Sequence, residues 1–284
     1  MDIQYAIDQF VGDKNLQMLF LSVILTGLLC SLLSTFVVIK RMALAGTGIG
    51  GAALTGAFVG IAFLPALNMT EWQILAIAGA SAFAVALIIM SLKRCAGAWT
   101  DALLGVFVIG IIVLWIISVL EWGMEIPDLT VYLIGSSRIM SDLDVYILSG
   151  ATALIFAIVL LCFKPLCAIC IDADYAKVLG NRVGLLEFIF IGLLTATVLF
   201  SIYYVNYLFT VALLIFPGLC GRLVSVQLWK MVAVSISIGV SSCIFSVFLS
   251  KAIVDWPSTI ILVVIQLALA ILIFGSNRIR ALNA

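Results

Sequence analysis

The chain has 284 residues, 65% of them hydrophobic and only 10% charged, against roughly 45–50% and ~25% in soluble domains. Fourteen Lys and Arg balance fourteen Asp and Glu, so charge gives no case for nucleic-acid binding, and histidine is absent. That absence removes His-paired nucleophiles, HExxH zinc sites and bis-histidine haem, and the composition predicts an all-α, polytopic membrane protein with a single transmembrane domain over residues 1–284.

Residues 1–16 read as an acidic surface segment, with Asp2, Asp8 and Asp13 where a cleavable signal peptide would be basic. Apolar stretches long enough to cross a bilayer follow at 17–39, 43–66, 72–92, 102–120, 143–163, 186–205, 207–221, 231–250 and 258–275. They predict eight to nine transmembrane helices. The short 207–221 stretch, set off from its neighbour by Asn206 alone, suits a half-helix as well as a full span.

Lys40, Arg41, Lys93, Arg94, Lys164, Lys177, Arg182, Arg222, Lys230, Arg278 and Arg280 fall on one side of the nine-span arrangement; Lys14, Arg138 and Lys251 fall on the other. The positive-inside rule makes the richer side cytoplasmic, with the N-terminus outside and the C-terminus inside. Trp72, Trp122 and Trp256 then lie at the outer boundary, as an aromatic belt requires.

The second span opens with GTGIGG, residues 46–51. This satisfies G-x-G-x-x-G, but the dinucleotide fingerprint needs a strand–turn–helix, and here the glycines open a membrane helix. Gly46 and Gly50, like Gly56 and Gly60, are four apart, which lets a neighbouring helix approach closely. The functional alternative is a glycine-rich wall of a solute path.

Further along, Asp101 and Glu187 stand at cytoplasmic edges, and no acidic residue lies in mid-span, where ion-coupled carriers need one. The outer stretch 121–144 has an apolar centre too short to cross and predicts a helix on the outer surface. The inner stretch 164–184, KPLCAICIDADYAKVLGNRVG, is the longest cytoplasmic loop. Its C-x-x-C, Cys167 and Cys170, lacks a second pair and reads as inert thiols. Between Asp172, a capping residue, and Gly180, a terminating one, the loop predicts a short helix. Pro217, in LLIFPGLCGRL, predicts a bend that serves either packing or gating. No G-x-x-x-x-G-K-[ST] is present, so any ATP must be hydrolysed elsewhere.

Taken together, FVVIKRMALAG with GIGGAALTGAFVG, DALLG from Asp101, DLTVYLIGS from Asp128, DADYAKVLG with VGLLEF, LFTVALLIFPGLCGRL and DWPSTIILV resemble the permease subunit of ABC-type importers of zinc, manganese or iron. The segments run in family order from about residue 36 to 265. The resemblance implies an importer permease bundle in the bacterial cytoplasmic membrane, without catalytic activity or a cofactor of its own, that pairs with a second permease copy or a paralogue. It further implies a cytoplasmic ATPase subunit that uses the ATP, contacted through Asp172, Asp174, Ala176 and Gly180. A periplasmic or extracellular solute-binding protein would deliver cargo near 121–144. The path would pass Thr47, Gly48 and Gly51 and open at Pro217.

One departure bears on the cargo. The family pattern Gly-Asp-x-x-Ser-His-Ala places Asp and His on the metal path, and the matching positions here are Thr47 and Gly51. The glycine expected after Pro257 and Ser258 is missing too. Divalent metals prefer carboxylate, imidazole or thiolate ligands. Two cargoes therefore stay open: a divalent metal guided by other groups, or a chelate or small organic solute passing a gate widened at Gly51. A stand-alone channel or carrier, an intramembrane enzyme and a non-transporting scaffold are the rival classes; with no histidine and no mid-span carboxylate pair, the enzyme has no catalytic apparatus.

Overall fold

The computed structural model describes residues 14–67, 71–96, 105–106, 108–111, 113, 117, 142–171, 173–178, 180, 182–252 and 257–282. Among these residues the regular structure is helical: α1 (Lys14–Ile39), α2 (Ala43–Leu67), α3 (Glu71–Ala96), α4 (Asp142–Leu161), α5 (Phe163–Ile171), α6 (Ala173–Val178), α7 (Val183–Tyr204), α8 (Tyr207–Val224), α9 (Leu228–Ala252) and α10 (Ser258–Leu282). All but α5 and α6 are long and apolar enough to span a bilayer, which gives eight candidate spans among the described residues. The expected span at 102–120 lies largely outside them; the residues described there, 105–106, 108–111, 113 and 117, are helical.

α1 is the axis of the bundle. Every residue from Leu29 to Val37 is buried, as expected of a helix apolar on all sides and enclosed by others. It packs against α8, α9, α4 and α7. α3, α4 and α10 lie at the periphery and leave Ile88, Leu154, Leu161, Ile271 and Leu272 exposed, an outer surface suited to lipid.

Close packing depends on small residues. A methyl group added at Gly218 of α8 would overlap the backbone carbonyl of Ser34 on α1. The Gly218 N–H instead donates to Ser34 Oγ at 2.7 Å, and Ser235 Oγ of α9 donates to the Ser31 carbonyl at 2.8 Å. These contacts join three helices through backbone approach and serine bonds, as helices associate inside a bilayer where burial from water offers little.

Two expectations from the sequence change. The 207–221 stretch is a continuous 18-residue helix, α8, and no half-helix. Asn206 makes this possible: its Oδ1 accepts from the Phe209 N–H at 2.8 Å, capping α8 immediately after α7 ends. The inner stretch 164–184 holds two helices where one was expected. α5 follows α4 after Cys162, because Pro165 falls in the first turn, where no donor is lost, and Leu166, Ile169 and Cys170 form a buried stripe.

Candidate functional site

Thr47, Gly48 and Gly51 lie together near the start of α2, on the stretch approached by the helical residues of 105–117. A methyl at Gly48 would stand 3.0 Å from Val108 Cγ2, and one at Gly51 would stand 3.1 Å from Ile111 Cγ2. Val108 and Ile111 are buried in turn. In this arrangement both glycines serve as contact surface for a neighbouring segment. Thr47 is half-buried, and its Oγ1 donates to its own helix at the Leu44 carbonyl, 2.7 Å away. Thr55, two turns further along, does the same to the Gly51 carbonyl at 2.9 Å. The oxygens on this strip keep acceptor capacity, while their protons are committed to backbone.

The remaining glycines of α2 point elsewhere. Gly46 meets Leu214 and Gly50 meets Tyr207, both on α8, whereas Gly56 and Gly60 meet Ser81 and Ile74 on α3. The four-residue spacing thus does what it predicts, seating one helix on each glycine pair. Tyr207 adds a bond the sequence did not signal: its Oη donates to the Thr47 carbonyl at 3.2 Å.

Pro217 is not brought to this strip. It is buried within α8 and faces the α1–α9 side, where a methyl at Gly239 would lie 3.5 Å from its Cγ. Leu214 and Tyr207 make the contacts between α8 and α2, so Pro217 stands behind the strip. Among the described residues, no three His, Cys, Asp or Glu side chains come together.

The second site is α6. Ala176 is fully buried against Ile169 of α5 and Leu186 of α7, so its methyl seats the helix on the bundle. Asp174, Lys177 and Val178 point outward. Lys177 Nζ donates to Asp174 Oδ1 at 2.8 Å, and this bond together with the ammonium charge holds the Asp174 carboxyl below the usual carboxylate range. Gly180 ends the element at φ 78°, with its N–H on the Lys177 carbonyl at 2.9 Å, a left-handed stop that suits glycine. Asp172 lies outside the described residues. Of the C-x-x-C, Cys167 is half-buried and Cys170 buried; neither forms a disulfide among the described residues, and burial pushes the Cys167 thiol up, disfavouring the thiolate.

Between the two sites stands a link that sequence reading missed. Lys40 closes α1 and Glu187 lies in the second turn of α7; their charged atoms are 3.7 Å apart, with side chains 9% and 22% exposed. Phe36 of α1 also meets Phe163 at the start of α5 edge-to-face, and Phe163 meets Trp229 of α9 in the same manner. Isolated cations and aromatics at helix ends read as solvated or interfacial residues; only the packing of α7, and of α5 with α9, around the end of α1 makes them partners.

The fold has solved counterparts. The chain superimposes on one from "PsaBC from Streptococcus pneumoniae in complex with Fab" with a TM-score of 0.81 and 23% identity, over 96% of this chain and 95% of that one. In sequence it is 24% identical over 249 residues, 88% of this chain and 83% of the other, to the manganese transport system membrane protein MntC of Halalkalibacterium halodurans. It is 25% identical over 265 residues, 93% and 94% of the two chains, to a probable iron transport system membrane protein of Haemophilus influenzae. The profile of the ABC 3 transport family matches residues 12–276, and the chain, with its helical bundle of membrane-spanning length, belongs to that family.

Proposed function

We propose that this chain is the membrane-spanning permease of an ATP-driven importer of a divalent metal ion or its chelate, working by alternating access. The observation that carries the reading is α6. A short helix seated by Ala176 between α5 and α7, with Asp174, Lys177 and Val178 outward, is a rigid handle through which an ATPase can move spans. Its closure would bias the bundle between inward- and outward-open states, a population shift that needs only differential contact. ATP is used by that cytoplasmic subunit, and this chain performs no catalysis. A second permease copy or a paralogue completes the path, a solute-binding protein loads it from outside, and the N-terminus is outside with the C-terminus in the cytoplasm.

Cargo passes Thr47, Gly48 and Gly51 and exits when the α8 region around Pro217 moves. The metal assignment draws on the relatives named for manganese and iron transport. A second reading, a non-metal small solute on the same scaffold, is favoured by one feature: Thr47 and Gly51 offer no carboxylate, imidazole or thiolate.

Reconstitution in proteoliposomes with the candidate ATPase and binding protein tests both. ATP-dependent accumulation of manganese, zinc or iron, lost on removal of the ATPase, is the expected result. Accumulation of solute by the permease alone would overturn the importer reading. ATP-driven uptake of an organic solute, with metals excluded, would select the second.

A further inference from the structure

Gln266, in α10, is fully buried, and among the described residues neither Nε2 nor Oε1 has a hydrogen-bond partner. A buried amide left unpaired forfeits the hydrogen bonds it would make to water, a loss that is larger in a medium without water. Its position shows what it could serve. α8 and α10 pack together, and near their starts Asn206 Nδ2 donates to Thr259 Oγ1 at 2.7 Å. This bond pins the two helices in register. Leu213 lies seven residues beyond Asn206, and Gln266 lies seven beyond Thr259. Seven residues are close to two turns, so each returns to nearly the face of its anchor, roughly 10 Å further along.

Leu213 is the residue whose carbonyl Pro217 leaves without a helical donor, since proline has no N–H. The next N–H along, that of Gly218, is given across to Ser34 Oγ. A carbonyl deprived of its donor and an amide with nothing to bond thus lie at one level of two neighbouring helices. We propose that Gln266 is a positioning residue for the Pro217 region: its Nε2 donates to the Leu213 carbonyl in one arrangement of the α8–α10 pair and is withdrawn in the present one. The pair is then a two-state element, with the bond as the difference between its states. Placing those states in a transport cycle rests on the importer reading; the bond itself does not.

The test is a double-mutant cycle on the purified protein in lipid nanodiscs, using Gln266→Met, which keeps volume without donors, and Pro217→Ala, which returns an N–H to Leu213. Spin labels at the exposed Val224 and Leu272 report the spacing of α8 and α10. Wild type is expected to give two distances. Gln266→Met should shift their ratio about tenfold toward the present arrangement, and should change nothing further in the Pro217→Ala background. Independent, additive shifts would overturn the proposal. So would a distance distribution unmoved by Gln266→Met, accompanied by a higher Tm, the mark of a mere misfit amide. A protein that transports nothing in proteoliposomes but shows the non-additive cycle would sink the importer reading and leave this inference standing.

Discussion

Lys40 Nζ stands 3.7 Å from Glu187 Oε1 and 5.2 Å from the centre of the Phe190 ring. Lys40 begins the turn that leads into α2 and the Thr47 strip. Glu187 sits just beyond α6 and Gly180. One ion pair therefore connects the first turns after the proposed ATPase handle to the α1–α2 turn that leads to the proposed path.

Because the two side chains are only 9% and 22% exposed, breaking the pair leaves a charge poorly solvated. Glu187→Gln is expected to lower stability by about 1–2 kcal/mol, below the 3–5 kcal/mol of a fully buried pair. Solute moved per ATP hydrolysed should fall several-fold while hydrolysis continues. The swap of Lys40→Glu with Glu187→Lys should recover part of both. Thermal unfolding and paired uptake and phosphate-release assays check this; an unchanged transport ratio in Glu187→Gln would remove the link from the mechanism.

At the α1–α2 turn, Arg41 adopts φ 54°, the left-handed region that L side chains avoid. The Met42 N–H reaches the Val37 carbonyl and the Arg41 N–H the Val38 carbonyl, at 2.9 and 3.1 Å, a Schellman stop with arginine where glycine is usual. Arg41 is exposed, so its side chain makes little contribution to packing. Arg41→Gly should raise stability by about 1 kcal/mol, seen as a higher Tm of the purified protein. A lowered Tm would mean that the arginine side chain holds the turn by contacts of its own.

How far the sequence reached can be judged at particular residues. Apolar length located the long helices, because a bilayer forces backbone bonds inside each span. Gly180 was legible as a helix stop, since a left-handed residue leaves a chemical signature. Pairing across the bundle was not. Nothing local to Ser34 reveals that it accepts from Gly218, or that the Gly48 and Gly51 surfaces are covered by Val108 and Ile111. Ala176 illustrates the same limit: DADYAKVLG announces a helix, but only the packing of α6 on α5 and α7 separates its seat from its outward face.

That separation sets the next expectation. Ala176→Leu pushes a larger side chain into a contact with Ile169 and Leu186 that has no room, at a cost of about 1–3 kcal/mol. Lys177→Ala and Val178→Ala alter only exposed surface and should leave unfolding stability within about 0.5 kcal/mol of wild type. If α6 is the ATPase handle, the outward pair should weaken co-purification of the ATPase and Ala176→Leu should retain it while uncoupling uptake from hydrolysis. Co-purification insensitive to all three would place the ATPase contact elsewhere.

The Thr47 strip can be tested by restoring ligands. Thr47 is half-buried and its Oγ1 donates to the Leu44 carbonyl; Thr47→Asp gives up that bond, since a carboxylate only accepts, but supplies a metal ligand at little steric cost. Gly51→His is different, because a Cβ there stands 3.1 Å from Ile111 Cγ2 and the ring must displace that side chain. Ile111→Ala supplied in the same protein opens the space. The triple variant should tighten manganese or zinc binding by at least tenfold, or about 1.4 kcal/mol, over the Ile111→Ala parent. Isothermal titration together with isotope uptake reads both binding and passage. Tighter binding accompanied by slower uptake would show that a path through this strip works because its walls hold metal weakly; binding unchanged from the parent would show that the strip does not meet the cargo at all.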